Sequence, residues 1–318
     1  MNRSTMKSVT SALIGGACLL AAASSWGAEF NLVAESFTKT LFEDTPSERS
    51  VEMWGFRLPT DAVGTASSPG PALVITDPTD TVLTINLQNN LAVPISLVIP
   101  NQNGYVRVGL NEHVTLPPDS QGRTRARSFV KETPAGGSAT YTWNNVTPGT
   151  YLYHSGSHPA LQVQMGLYGM LKKDAVAGEA YTGHSYSSEE VWIFGEIDFE
   201  VHDAVAVSMA NYADTIKSMI HSVPEVYLLN GEPFKVGALD LTGGQATLVR
   251  MLNACYDERI PVVNGRHLTL VAEDGRAYPY PKVENAVNLP ALKTRDVLVT
   301  PTATAIEKFY DRRLMSMQ

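Results

Sequence analysis

The chain has 318 residues, 44% of them hydrophobic, which is enough for about two domains, each with an ordinary core. It carries 24 basic residues against 32 acidic ones, a net charge of −8, and no run dense in Lys or Arg, which argues against a nucleic-acid partner. Nineteen prolines and 24 glycines punctuate short runs rich in Val, Thr and Tyr, a pattern of strands and turns rather than helices.

At the N-terminus, Arg3 and Lys7 precede an apolar run from Ala12 to Ala23 that is too short to span a bilayer and is followed by small residues. This is the pattern of a Sec-type signal peptide, placed at residues 1–28, with cleavage between Ala23 and Glu29. Gly15 stands where a lipoprotein motif wants leucine, and there is no twin arginine, so the mature chain is expected in a periplasmic or extracellular space. Without Arg3 and Lys7 the balance becomes 22 basic against 32 acidic residues, a net charge of −10. Only Cys255 survives cleavage, so no intramolecular disulfide is expected. No second long apolar stretch follows, and no membrane span is expected after signal removal.

The mature chain then alternates as half-buried strands do. Candidate strands cover residues 29–35, 51–58, 72–75, 81–87 and 94–99, separated by turns such as Pro69-Gly-Pro71 and Asp77-Pro-Thr-Asp80. Residues 100–127 are polar and rich in Gly, Pro and Asn, and read as a long loop of the kind that is functional or disordered. Strands at 138–143, 150–153 and 165–171 follow. Strands about every ten residues with turn signals between them predict an all-β sandwich.

Residues 174–190 form the best linker candidate. A second set of strands covers 191–197, 225–229, 246–253, 260–263, 267–272 and 296–299, with a short helix expected within 201–219. The end of the chain, from Phe309, shows no further strand to close a sheet. The domain reading is therefore 29–173, a linker at 174–190, and an abbreviated second unit at 191–318.

Chemistry concentrates at Pro148-Gly-Thr-Tyr-Leu-Tyr-His154-Ser-Gly-Ser-His158. A Pro-Gly turn delivers a strand that ends on His154, and His158 follows in a Ser/Gly-rich bend. Two histidines in this setting are a candidate metal site. The structural alternative is one buried, hydrogen-bonded histidine and one solvated histidine. His113, His184, His202 and His221 stand in polar or amphipathic segments and read as solvated or capping. Met165 and Met170 read as core filling rather than thioether ligands.

Several segments taken together carry a resemblance across nearly the whole mature chain. Pro69-Gly-Pro71 with Asp80-Thr-Val-Leu-Thr-Ile-Asn-Leu-Gln-Asn-Asn90 is one, and Pro148 to His154 with Gln162 to Gly169 is another. Tyr227-Leu-Leu-Asn-Gly231 and Arg250-Met-Leu-Asn-Ala254 with Gly265 to Gly275 complete the set. In this order and at these spacings the chain resembles the multicopper oxidase family. The resemblance implies two tandem Greek-key β-sandwich (cupredoxin-like) domains. It makes His267 a structural, packed histidine.

The family takes single electrons at a mononuclear copper and passes them to a three-copper cluster held by four His-x-His pairs. Here Leu97-Val-Ile-Pro-Asn-Gln-Asn-Gly104 has no histidine where the resemblance places the first pair, and Gly156 stands where the partner of His154 belongs. Cys255 has no flanking histidine. The whole chain has seven histidines, and four His-x-His pairs need eight. The expectation is a secreted, two-domain, multicopper-oxidase-like protein with degenerate copper sites. It would be a non-catalytic module that binds copper at most partially, at His154 and His158, or binds a partner. The alternative is an oxidoreductase whose copper cluster is completed by a partner subunit, either another copper protein or a second copy in a homo-oligomer.

Overall fold

The computed structural model describes residues 27–102, 114–115, 118–123, 126–128, 131–207, 219–234 and 236–315. The signal-peptide reading and His113 fall outside them, as does most of the long polar loop.

In chain order the first half contains β1 (Ala28–Leu41), β2 (Arg49–Arg57), β3 (Leu73–Ile75), β4 (Val82–Asn89), β5 (Val114–Thr115) and β6 (Ala126–Ser128). It continues with β7 (Ser138–Asn144), β8 (Gly149–His154), helix α1 (Pro159–Gln164) and β9 (Tyr168–Lys173). One sheet has the order β2-β1-β4-β7 and a second β3-β9-β8. Between them lie Trp54, Phe56, Leu83, Ile85, Leu87, Tyr141 and Trp143. β4 shows why: its even positions (Thr84, Asn86, Gln88) face outward while Leu83, Ile85 and Leu87 are buried, the period-two pattern of a half-buried strand.

The hairpin β10 (Glu179–Tyr181) and β11 (His184–Ser185) follows. The second half has β12 (Ser188–Ile197), helix α2 (Phe199–Val207), β13 (Val226–Leu229), β14 (Glu232–Pro233), β15 (Val236–Leu241), β16 (Thr247–Asn253) and β17 (Pro261–Val263). It ends with β18 (Leu268–Glu273), β19 (Arg276–Glu284), β20 (Thr294–Val299), β21 (Ala305–Asp311) and helix α3 (Arg312–Met315). A seven-stranded sheet in the order β14-β13-β12-β16-β20-β18-β19 packs on the smaller sheet β15-β21-β17. Trp192 stacks on Phe309 between them, ring centroids 3.9 Å apart.

The two halves repeat one topology. β1 pairs antiparallel with β2 and parallel with β4, and β4 pairs antiparallel with β7. β12 likewise pairs antiparallel with β13 and parallel with β16, and β16 pairs antiparallel with β20. The architecture is all-β, with the sandwich form expected from the sequence. An apolar cluster joins the halves: Leu152, Val163, Tyr168 and Met170 pack with Ile193, Leu252 and Ala254.

Two local readings need correction. Residues 94–99 make only the isolated bridges Ile95–Thr133 and Val98–His154, because the segment crosses the end of β8 instead of running along a neighbour. The chain end does contribute a strand: β21 lies between β15 and β17. Residues 174–190 contain the β10–β11 hairpin and donate side chains to a buried charge network. Among the described residues no helix is long and apolar enough to cross a membrane.

Candidate metal centre

His154 ends β8. Its backbone N–H donates to the Val98 carbonyl (3.0 Å) and its carbonyl accepts from the Val98 N–H (2.9 Å), which locks the strand end against residues 94–99. The side chain is buried. Its Nδ1 lies 2.8 Å from the Ser155 carbonyl, and a carbonyl only accepts, so Nδ1 carries the proton. Nε2 then presents a lone pair, buried, with no hydrogen-bond partner. That is the tautomer of a metal-binding histidine, oriented by a backbone carbonyl. Burial pushes the His154 pKa down, against the Ser155 hydrogen bond, which favours the same neutral ring.

The loop after His154 is stitched to residues 94–98. Ser155 Oγ donates to Gln162 Oε1 and accepts from the Ser96 N–H (3.2 Å), while Gln162 Nε2 donates to the Pro94 carbonyl (2.9 Å). The Gly156 N–H donates to Ser96 Oγ (3.0 Å). A Cβ added at Gly156 would meet Val98 Cγ1 at 2.7 Å and Ser96 Oγ at 3.3 Å. The space a side chain at 156 would need is filled by Val98.

His158 is half-buried at the N-cap of α1, with Pro159 at the first helical position, where a missing N–H costs nothing. Its side chain makes no capping bond; its carbonyl accepts from the Gln162 N–H (2.8 Å). Burial lowers its pKa too. Where histidines are missing, Gln102 instead clasps Thr147 through Nε2 to the carbonyl (3.0 Å) and Oε1 from the N–H (3.2 Å).

The remaining candidates lie apart from this loop. His202, expected as solvated or capping, is buried: its Nδ1 is 2.8 Å from the Glu52 carbonyl and its Nε2 3.1 Å from that of Gln164. The acidic Asp198 beside it is structural, accepting from the Val201 N–H (3.2 Å) and from Ser222 Oγ (2.7 Å). His267, expected to be packed, is exposed, and so is His221; His184 is half-buried on β11. Met165 and Met170 are core residues. Cys255 is a buried free thiol in the second core, its pKa pushed up by burial.

Among the described residues no three His, Cys, Asp or Glu side chains converge as a metal cage. The donor set offers one oriented Nε2 beside a position sealed by Val98. That chemistry suits one metal–nitrogen bond, and among the described residues no donor set for a multinuclear copper cluster accompanies it.

No protein-family model matches the sequence, and no curated protein matches it. Solved structures do match the fold. The multicopper oxidase mgLAC aligns at TM-score 0.64 and 16% identity, over 90% of this chain and 80% of that one. The blue copper oxidase of Nitrosomonas europaea aligns at 0.62 and 15%, over 90% and 79%. The copper nitrite reductase of the same organism aligns at 0.61 and 15%, over 91% and 90%. At these identities the likeness is one of fold, and the fold of this chain is the two-domain cupredoxin-like one of those structures.

Proposed function

We propose that this protein is a non-catalytic binding module on the multicopper oxidase scaffold, built as two cupredoxin-like units at 29–173 and 191–318 and exported by its N-terminal signal to the periplasm or beyond. It holds at most one copper ion, through His154 Nε2 with His158 on the same loop, or uses that face for a partner protein. The observation that carries this reading is the steric one at Gly156: Val98 fills the space that a side chain at 156 would need. The orphaned Nε2 of His154 supports a residual role for a single metal–nitrogen bond.

That same orphaned lone pair also motivates the second reading, an oxidoreductase whose copper cluster a partner subunit completes. One experiment separates them. The mature protein, alone and then with whatever protein co-purifies from its source, is supplied with copper and followed by oxygen uptake. The binding-module reading expects no uptake in either case. Uptake that appears only with the co-purified partner overturns it in favour of the shared cluster.

A further inference from the structure

We infer that the cleft between α1 and the second sandwich is a binding site for one small, uncharged, hydrocarbon-like molecule, separate from the His154 loop. The cleft has a volume of about 210 Å³. Pro159, Ala160 and Val163 of α1 form one wall, and Ala254, Ala291 and Leu292 of the second half form the other. These six side chains are aliphatic, and the one amide in the lining, Gln164, donates to the Glu196 carbonyl (3.3 Å), so the lining selects an apolar occupant and gives water few hydrogen bonds.

Size fixes the class further. A cavity of roughly 150 Å³ with apolar walls takes up a benzene ring, so this one admits a single ring with a small substituent. Tyr256 donates its hydroxyl to the Ala160 carbonyl, bridging from one wall to the other. No lysine, arginine or histidine lines it, so a carboxylate or phosphate finds no counter-charge. Arg259, which is not in the lining, pairs with Glu196 (2.7 Å).

The wall is also held in an uncommon backbone state. Leu292 sits at φ +58°, in the left-handed region that a leucine rarely adopts, pinned by its N–H donating to the Asn253 carbonyl (2.9 Å). The walls come from the two halves of the chain, so an occupant holds them together. The buried thiol of Cys255 lines the same space and reports on it.

The test uses the mature full chain with fluorobenzene as the probe, followed by ¹⁹F NMR and by the rate at which N-ethylmaleimide modifies Cys255. The expected result is saturable binding, with Cys255 modification slowed about tenfold when the probe is at ten times its Kd. Benzoate is expected to leave both signals unchanged. Ala291→Phe, which puts a ring into the cleft, is expected to abolish probe binding while near-UV circular dichroism stays native; Val163→Phe, from the opposite wall, does the same should the first variant not fold. Absence of saturable binding, unchanged Cys255 modification despite binding, equal binding of benzoate, or undiminished binding in a folded filled variant would each overturn the inference.

Discussion

At position 156 the steric limit is set by one neighbour: a Cβ would stand 2.7 Å from Val98 Cγ1. Gly156→Ala is expected to cost about 1–3 kcal/mol in urea unfolding, the range for overpacking a filled site. Val98→Ala in the same chain should recover part of that loss, and strict additivity of the two changes would contradict the contact. The histidines give a pH dependence. His154 and His158 both have pKa values held below the ordinary 6.5 by burial. Below about pH 6.5 the unfolded chain therefore binds protons that the folded chain refuses. The stability is present above that pH and is lost as pH falls, levelling off only below the folded pKa values. A urea midpoint that drops between about pH 8 and 5, and drops less in His158→Gln, is the expected outcome. A flat profile would sink it. The residues around His154 were legible in the sequence because a Pro-Gly turn and a Tyr-rich strand point to a strand end. The fates of His202 and His267 were not. Which side of a short polar segment turns inward depends on residues far off in sequence, here the carbonyls of Glu52 and Gln164 for His202.

Among the elements, β8, β16, β20 and the hairpin segment meet at Arg250. Its guanidinium, fully buried, pairs with Glu189 (2.7 Å) and Asp174 (2.5 Å) and donates to Thr150 Oγ1 (2.8 Å), which itself donates to Asp296 (2.7 Å). Tyr181 also donates to Asp296, whose pKa burial raises against the pull of Arg250. Arg250→Met leaves three carboxylates around a lost cation and is expected to cost about 3–5 kcal/mol by urea unfolding. Asp296→Asn in that background should return part of it; a loss under about 1 kcal/mol in the single variant would show the network to be dispensable. Strands with strict alternation, such as β4, could be read directly from the chain. The β10–β11 hairpin could not, because Asp174 to Glu189 looks like a polar linker until Arg250 is placed against it. β19 escaped because Pro279 and Pro281 argue against a strand, yet prolines are tolerated at the sheet edge where β19 lies.

On the scale of the whole molecule, one topology is repeated twice and joined through the apolar cluster of Leu152, Val163, Tyr168, Met170, Ile193, Leu252 and Ala254. The scaffold was legible because hydrophobic period, turn residues and segment order agree along the chain. What the sequence could not show is what fills the space beside Gly156, since Val98 and Gly156 are distant in sequence and come together at the Val98–His154 bridge. The most direct measurement of the central claim is the copper content of the mature protein after loading with copper and removal of excess, by elemental analysis. We expect at most one copper per chain, lost in His154→Ala while the fold is retained. Three or more copper ions per chain, bound by the protein alone, would contradict the account.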